Sequence, residues 1–189
     1  MKTRFSCLIV LCIVLTSNCS PEKEASHTQV IEAYFNALNH ADFGAVADQL
    51  ADTVVFGEGE YLTTYSLAEY QIWWQWDSVF QPEYTLLDVK EVGETVEAKF
   101  AKQDVRIRYL HQDPVINLVR YSFKEGKLHR SVILSYEGFD DERWRANREV
   151  LVNWAAEHHP ELNGFIHDQT LQGGINYREA LRLYQAQQP

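Results

Sequence analysis

Residues 33–60, AYFNALNHADFGAVADQLADTVVFGEGE, decide the fold. They predict a helix, a tight turn, a second helix and a strand that ends on a carboxylate. Val30, Ile31, Tyr34, Phe35 and Leu38 recur at the spacing of one core-facing stripe, at about 3.6 residues per turn. Asp42 is placed to cap a second helix, because its carboxylate can accept from the first free backbone N–H groups. The apolar face of that helix is Phe43, Val46 and Leu50. Thr53 to Phe56 then reads as strand, with Gly57 and Glu58 at its end.

Downstream, Ser66 and Glu69 have the spacing of a capping box, so a third helix starts near Leu67 and stops before Pro82. Leu67, Tyr70, Trp73, Trp74 and Asp77 share one side, while Ile72, Trp76, Val79 and Phe80 occupy the rest. A helix this aromatic on several faces is buried by more than one neighbour. Its side chains read as core packing, as a dimer contact, or, for Tyr70, Trp73 and Trp74, as aromatic walls of a ligand pocket.

An antiparallel sheet of three or four further strands follows. Tyr84 to Val92 is one strand, and Val96, Ala98 and Phe100 alternate with polar residues in the next. The parity then flips to Val105, Ile107 and Tyr109, which predicts a bulge at 101–104 within a strand. Arg106 and Arg108 fall on its solvent face, paired with acids. After Asp113-Pro114, Val115 to Phe123 and Leu128 to Tyr136 form a hairpin around the turn at 124–127. Residues 138–189 predict a helix capped by Asp140 or Asp141 and closed by Pro160, then a last helix with Asn176 and Glu179 at capping-box spacing. Some 50 residues with so few apolar side chains bury too little to fold alone, so this segment reads as a lid or brace on the domain.

The N-terminus reads as a targeting segment, with Lys2 and Arg4 before a short apolar run from Cys7 to Leu15. Residues 1–19 resemble a bacterial lipoprotein signal ending at Cys19, the candidate lipidated residue, although Asn18 stands where that pattern has a small residue. The polar residues 20–27 read as a tether. This organisation predicts a cell-envelope protein held to a membrane by its lipid anchor, with ordinary secretion as the alternative. All three cysteines lie in the first 19 residues, which leaves no thiol for a disulfide, catalysis or a metal site beyond them. With 17 Lys plus Arg against 27 Asp plus Glu, the net charge of −10 repels phosphate backbones, which argues against a nucleic-acid partner. His40, His111, His129 and His167 are isolated, and the adjacent His158 and His159 point apart on a helix. All six read as solvated, and neither a metal nor a cofactor is predicted.

The Y-x-x-A-L-N-x-x-D run from Tyr34 to Asp42, the L-A-D at Leu50 to Asp52, and a long helix followed by a curved sheet resemble the nuclear transport factor 2-like superfamily, which includes ketosteroid isomerases and SnoaL-like polyketide cyclases. The resemblance spans residues 28–137. It implies an α+β, cone-shaped fold in which a curved antiparallel sheet wraps the N-terminal helices, here with a C-terminal helical extension. By comparison with the isomerases, Tyr34 matches the hydrogen-bonding tyrosine and Glu58 the proton-shuttling carboxylate. Val119 falls where those enzymes carry a protonated acid; it cannot donate a hydrogen bond, which leaves the amide of Asn117, with Tyr121 as a further neighbour on the same face.

Three classes of function stay open. One is a module that binds a small, mostly apolar molecule in the cavity, against Tyr70, Trp73, Trp74, Val119 and Tyr121. The second is an isomerase, dehydratase or cyclase with Glu58 as general base and Tyr34 and Asn117 as hydrogen-bond donors. The third is an interaction domain that forms a homodimer through the outer sheet face.

Overall fold

The computed structural model describes residues 25–187, so the predicted leader, Cys19 and the tether as far as residue 24 lie outside the described residues. The last residues of the predicted tether belong to the domain. Ser26 caps α1 (His27–Asn39) in a capping box, its hydroxyl accepting from the Gln29 N–H while the Gln29 side chain accepts from the Ser26 N–H. The α1 stripe is buried as its spacing requires. Asp42 caps α2 (Phe43–Asp48) by accepting from the Ala45 N–H. Leu50, predicted on that helix, instead opens β1 (Leu50–Glu58) and is buried there.

The strand β2 (Tyr61–Ser66) has no counterpart in the sequence reading. Five of its six residues are exposed, so it lacks the alternation that betrays a half-buried strand. The Ser66 and Glu69 capping box starts α3 (Leu67–Ser78) as predicted. Four strands then follow: β3 (Glu83–Val92), β4 (Thr95–Gln103), β5 (Val115–Lys124) and β6 (Lys127–Glu137). They join β1 and β2 in one six-stranded sheet of order β2-β1-β6-β5-β4-β3. The sheet is mixed. After α3 the chain crosses to the far edge and meanders back through four strands, which brings β6 beside β1 in parallel while every other pair is antiparallel. Register shifts at Leu86/Asp88, Leu118/Val119 and Ser122/Phe123 bend the strands around the helices.

The bulge predicted at 101–104 is absent, and residues 105–110 are a helix, α4 (Val105–Leu110). Asp104 decides this. Its carboxylate accepts from the Ile107 N–H at 2.6 Å, satisfying a donor at the start of a helical turn, and a strand would leave this fully buried acid without that bond. Arg106 consequently turns inward rather than to solvent. His111, at the end of α4, is also buried, its Nε2 accepting from the Asp140 N–H at 2.9 Å, so Nδ1 carries the proton toward the Asp113 carbonyl at 2.8 Å.

Two apolar cores share α3. The first packs α1, α2 and one side of α3 against the concave face of the sheet, and the second packs Trp76, Phe80 and Leu110 against the C-terminal extension. The extension consists of α5 (Asp141–His158), capped by Asp140, two short 3-10 turns at Pro160–Leu162 and Phe165–His167, and α6 (Leu171–Ala186). The predicted start of the last helix at Asn176 is corrected: Thr170 caps α6 by accepting from the Gly173 N–H, so Gly173 and Gly174 lie inside it. Both glycines are there for close approach. A β-carbon on Gly174 would lie 2.9 Å from the Trp76 carbonyl oxygen of α3, and one on Gly173 would overlap the Asp168 carbonyl oxygen.

Gly173→Ala and Gly174→Ala should therefore destabilise the protein by about 1 to 3 kcal/mol each despite the better helix propensity of alanine. Urea unfolding checks this, and a rise in the midpoint for either variant would show that α6 does not need that approach.

Candidate ligand cavity

Between α1, α3 and the concave face of the sheet lies a cavity of about 530 Å³, within the range of small-molecule sites. Strand alternation explains its walls. Phe56 of β1, Phe100 of β4, Val119 and Tyr121 of β5 and Ile133 of β6 point inward, while α1 contributes Tyr34, Phe35 and Leu38 and α3 contributes Tyr70, Trp73 and Trp74. Phe56 stacks on Tyr70 with ring centroids 4.9 Å apart and planes 5° apart.

The cavity brings together seven of the eight residues singled out from the sequence: Tyr34, Asn117, Tyr70, Trp73, Trp74, Val119 and Tyr121. Glu58 does not join them. It sits exposed at the end of β1, where it accepts a hydrogen bond from the Tyr136 hydroxyl at 3.0 Å, and it faces a neighbouring groove. The strand carries Phe56 into the cavity, and two residues further on the same face has passed beyond the cavity's edge. The Asn117 amide donates to the Val115 carbonyl at 3.0 Å.

Two polar groups stand among the apolar walls. The hydroxyls of Tyr34 and Tyr70 are 2.7 Å apart. Burial pushes both phenols well above their ordinary pKa, and the Asp77 charge adds to this, so both stay protonated. One proton bridges the pair. Among the described residues the second O–H has no acceptor, which leaves the pair one donor for a ligand.

The second group centres on Asp77, which closes the aromatic side of α3 and is 4% exposed. The Lys102 ammonium donates to both of its oxygens at 2.8 and 2.7 Å, and the Tyr84 hydroxyl donates at 3.0 Å. Behind it Arg106 reaches Asp77 at 3.4 Å and Asp104 at 3.2 Å, with its guanidinium over the rings of Trp76 and Phe80. Two acids and two bases thus balance. Burial alone would raise the Asp77 pKa, but the charges of Lys102 and Arg106 outweigh it and hold the carboxyl below the usual range.

Asp77, Lys102 and Tyr84 were not identified as site residues from the sequence, though two signals pointed to them. Asp77 is an acid on an otherwise aromatic helix face. Lys102 continues the inward parity of Val96, Ala98 and Phe100.

No protein-family model and no curated protein matches the sequence. Solved structures do match. IdmH, a candidate polyketide cyclase from Streptomyces antibioticus, superposes with a TM-score of 0.51 at 14% identity, covering 66% of this chain and 99% of its own. A candidate ketosteroid isomerase from Kribbella flavida gives 0.50 at 16% identity, covering 60% of this chain and 80% of its own. An uncharacterised cystatin-fold protein from Novosphingobium aromaticivorans gives 0.52 at 15% identity, covering 59% and 99%. The chain has the nuclear transport factor 2-like fold. At such identities the likeness concerns architecture alone. About a third or more of this chain lies outside each of these matches, so the nuclear transport factor 2-like part carries additional chain.

Asp77→Asn should cost about 3 to 5 kcal/mol, because it leaves the buried Lys102 ammonium without its counter-charge. Since the folded-state pKa of Asp77 is depressed, its contribution is fully present above the ordinary value of 3.8 and is lost as pH falls through the lower folded value. Urea unfolding from about pH 2 to about pH 6, a range centred near the ordinary carboxylate value, should therefore show a fall in wild-type stability toward acid that is shallower in Asp77→Asn. Parallel curves would place Asp77 outside the ionised network.

Proposed function

We propose that the protein binds a small, mostly apolar molecule carrying a hydrogen-bond acceptor, and that the acceptor meets the free phenol proton of the Tyr34 and Tyr70 pair. The observation that carries this is the cavity itself: aromatic walls on three sides and one donor held 2.7 Å from its neighbour in a site shielded from water. Trp73 and Trp74 supply flat apolar surface from α3, and Asn117 lines the cavity from β5.

An isomerase, dehydratase or cyclase is the second reading, and the phenol pair favours it too, because the donor that meets a carbonyl would stabilise an enolate better. The match to a candidate cyclase and a candidate isomerase supports that possibility at the level of fold. Such chemistry also needs a base. Glu58 lies outside the cavity, and the ion pairs that keep Asp77 charged make it a weak base near neutral pH. Binding without turnover is therefore the reading we adopt. The homodimer draws little support from the outer sheet face, where Glu97 pairs with Arg120 at 2.8 Å and Lys90 at 3.7 Å, and Lys99 pairs with Glu137 at 2.6 Å.

The protein is, in this proposal, exported and held at a bacterial membrane by acyl chains on Cys19. The basic Lys2 and Arg4, the short apolar run and the polar stretch after Cys19 support it.

Native mass spectrometry of gently purified protein should reveal a retained small molecule, and the double variant Tyr34→Phe/Tyr70→Phe, which removes both phenol protons, should weaken its rebinding by about tenfold, the worth of one hydrogen bond. A variant that binds as tightly as wild type would remove the phenol from recognition. In the native host a clickable fatty acid should label the wild type and not Cys19→Ser, whereas equal labelling of both, or of neither, would end the lipid-anchor proposal.

A further inference from the structure

Beyond the cavity, on the same face of the sheet, lies a second hollow of about 500 Å³ that contains Glu58, Tyr136, Phe139 and Trp144. The two hollows adjoin in the fold. Phe100, Asn117 and Tyr136 are partners in register on β4, β5 and β6, so their side chains form one row across the concave face. Phe100 belongs to the cavity, Tyr136 to the groove, and Asn117 lines both, as does Lys102 from the next inward position of β4. Asn117 and Lys102 are thus the boundary that a molecule longer than the cavity has to cross to end beside Glu58.

The groove's chemistry is that of a cation site. Tyr136, Phe139 and Trp144 form a chain of rings with centroids 5.6 and 5.7 Å apart, and such π-faces attract an ammonium. Lys102 and Arg106 also border the groove, but Asp77 and Asp104 balance their charges. Asp141, at the groove's edge, has Arg145 at 3.8 Å. Glu58 is different: among the described residues it has no cationic partner within salt-bridge distance, and its one bond is the Tyr136 hydroxyl. Water hydrates this exposed carboxylate in the free protein, and a cation placed here would gain its charge and the neighbouring π-faces together.

We propose that this groove is a subsite for the positively charged amine end of an elongated ligand whose apolar body fills the cavity. The proposal rests on the binding function above and narrows its ligand to an amphipathic amine. Glu58 then acts in recognition, not as a base.

Three probes that share a 6-(4-acetylphenyl)hexyl chain, whose ketone can accept from the Tyr34 and Tyr70 pair, and that end in a primary amine, a hydroxyl or a carboxylate test it, with dissociation constants measured by quenching of tryptophan fluorescence. The amine should bind about tenfold more tightly than the alcohol, the preference should shrink with added salt, and the carboxylate should bind most weakly. Glu58→Gln, at an exposed position that tolerates the change, should bring the amine-to-alcohol ratio close to one. Alcohol and amine binding equally well, the carboxylate binding best, or a preference that survives Glu58→Gln would each overturn the amine subsite while leaving the cavity as a binding site. Failure of all three probes to bind would overturn both.

Discussion

The ion-paired carboxylate of Asp77 is the constraint on which the rest of this structure depends. It draws a hydrogen bond or ion pair from β3 through Tyr84, from β4 through Lys102 and from α4 through Arg106, while sitting itself on α3. Each partner is needed. A buried carboxylate or ammonium alone costs several kcal/mol, roughly, in lost hydration, and only convergent partners offset that cost. The network therefore fixes where the last turn of α3 lies against the sheet. Because α3 is the wall common to both cores, it also sets the shape of the cavity and the seat of the C-terminal extension.

Much of this was legible in the chain, wherever a local signal and the tertiary environment agree. Asp42, Ser66 and Asp140 cap helices through their own side chains, and the α1 stripe from Val30 to Leu38 is buried as its period demands. The failures occur where tertiary structure overrides a local rule. Val105, Ile107 and Tyr109 alternate as a strand would, yet Asp104 and the ion pairs of Arg106 hold them in a helix. The Asn176 and Glu179 spacing reads as the start of the last helix, yet α6 begins at Leu171, where Gly173 and Gly174 let it approach Asp168 and Trp76 closely. The edge strand β2 exposes nearly all its side chains, so no burial pattern marked it.

The site divides along the same line. Residues that line the cavity by strand parity or helix face, Tyr34, Tyr70, Trp73, Trp74, Asn117, Val119 and Tyr121, follow from the alternation of each element once the fold is known. Glu58 does not, since parity gives the face of the sheet and not the distance along it. The groove it enters is built by Phe139 and Trp144, which belong to the extension and have no place in the resemblance that suggested a catalytic role.

Placing the extension beside the cavity has an energetic consequence. Trp73 lines the cavity and also packs against the second core, and Trp76, one turn on, is buried between Phe80 and the guanidinium of Arg106. A ligand that presses on Trp73 thus acts on a surface shared with the extension. Interiors packed this densely transmit displacement instead of absorbing it, so a change in the cavity is felt at the α3–α6 contact. There Gly174 leaves α6 almost no space to yield. The extension closes the back of the helix that forms the cavity wall, and it supplies two of the three rings beside Glu58. Its presence makes α3 a rigid partition with an apolar chamber on one side and a fixed brace on the other. That rigidity suits recognition by preformed surfaces, because a wall that does not reorganise on binding costs little conformational entropy.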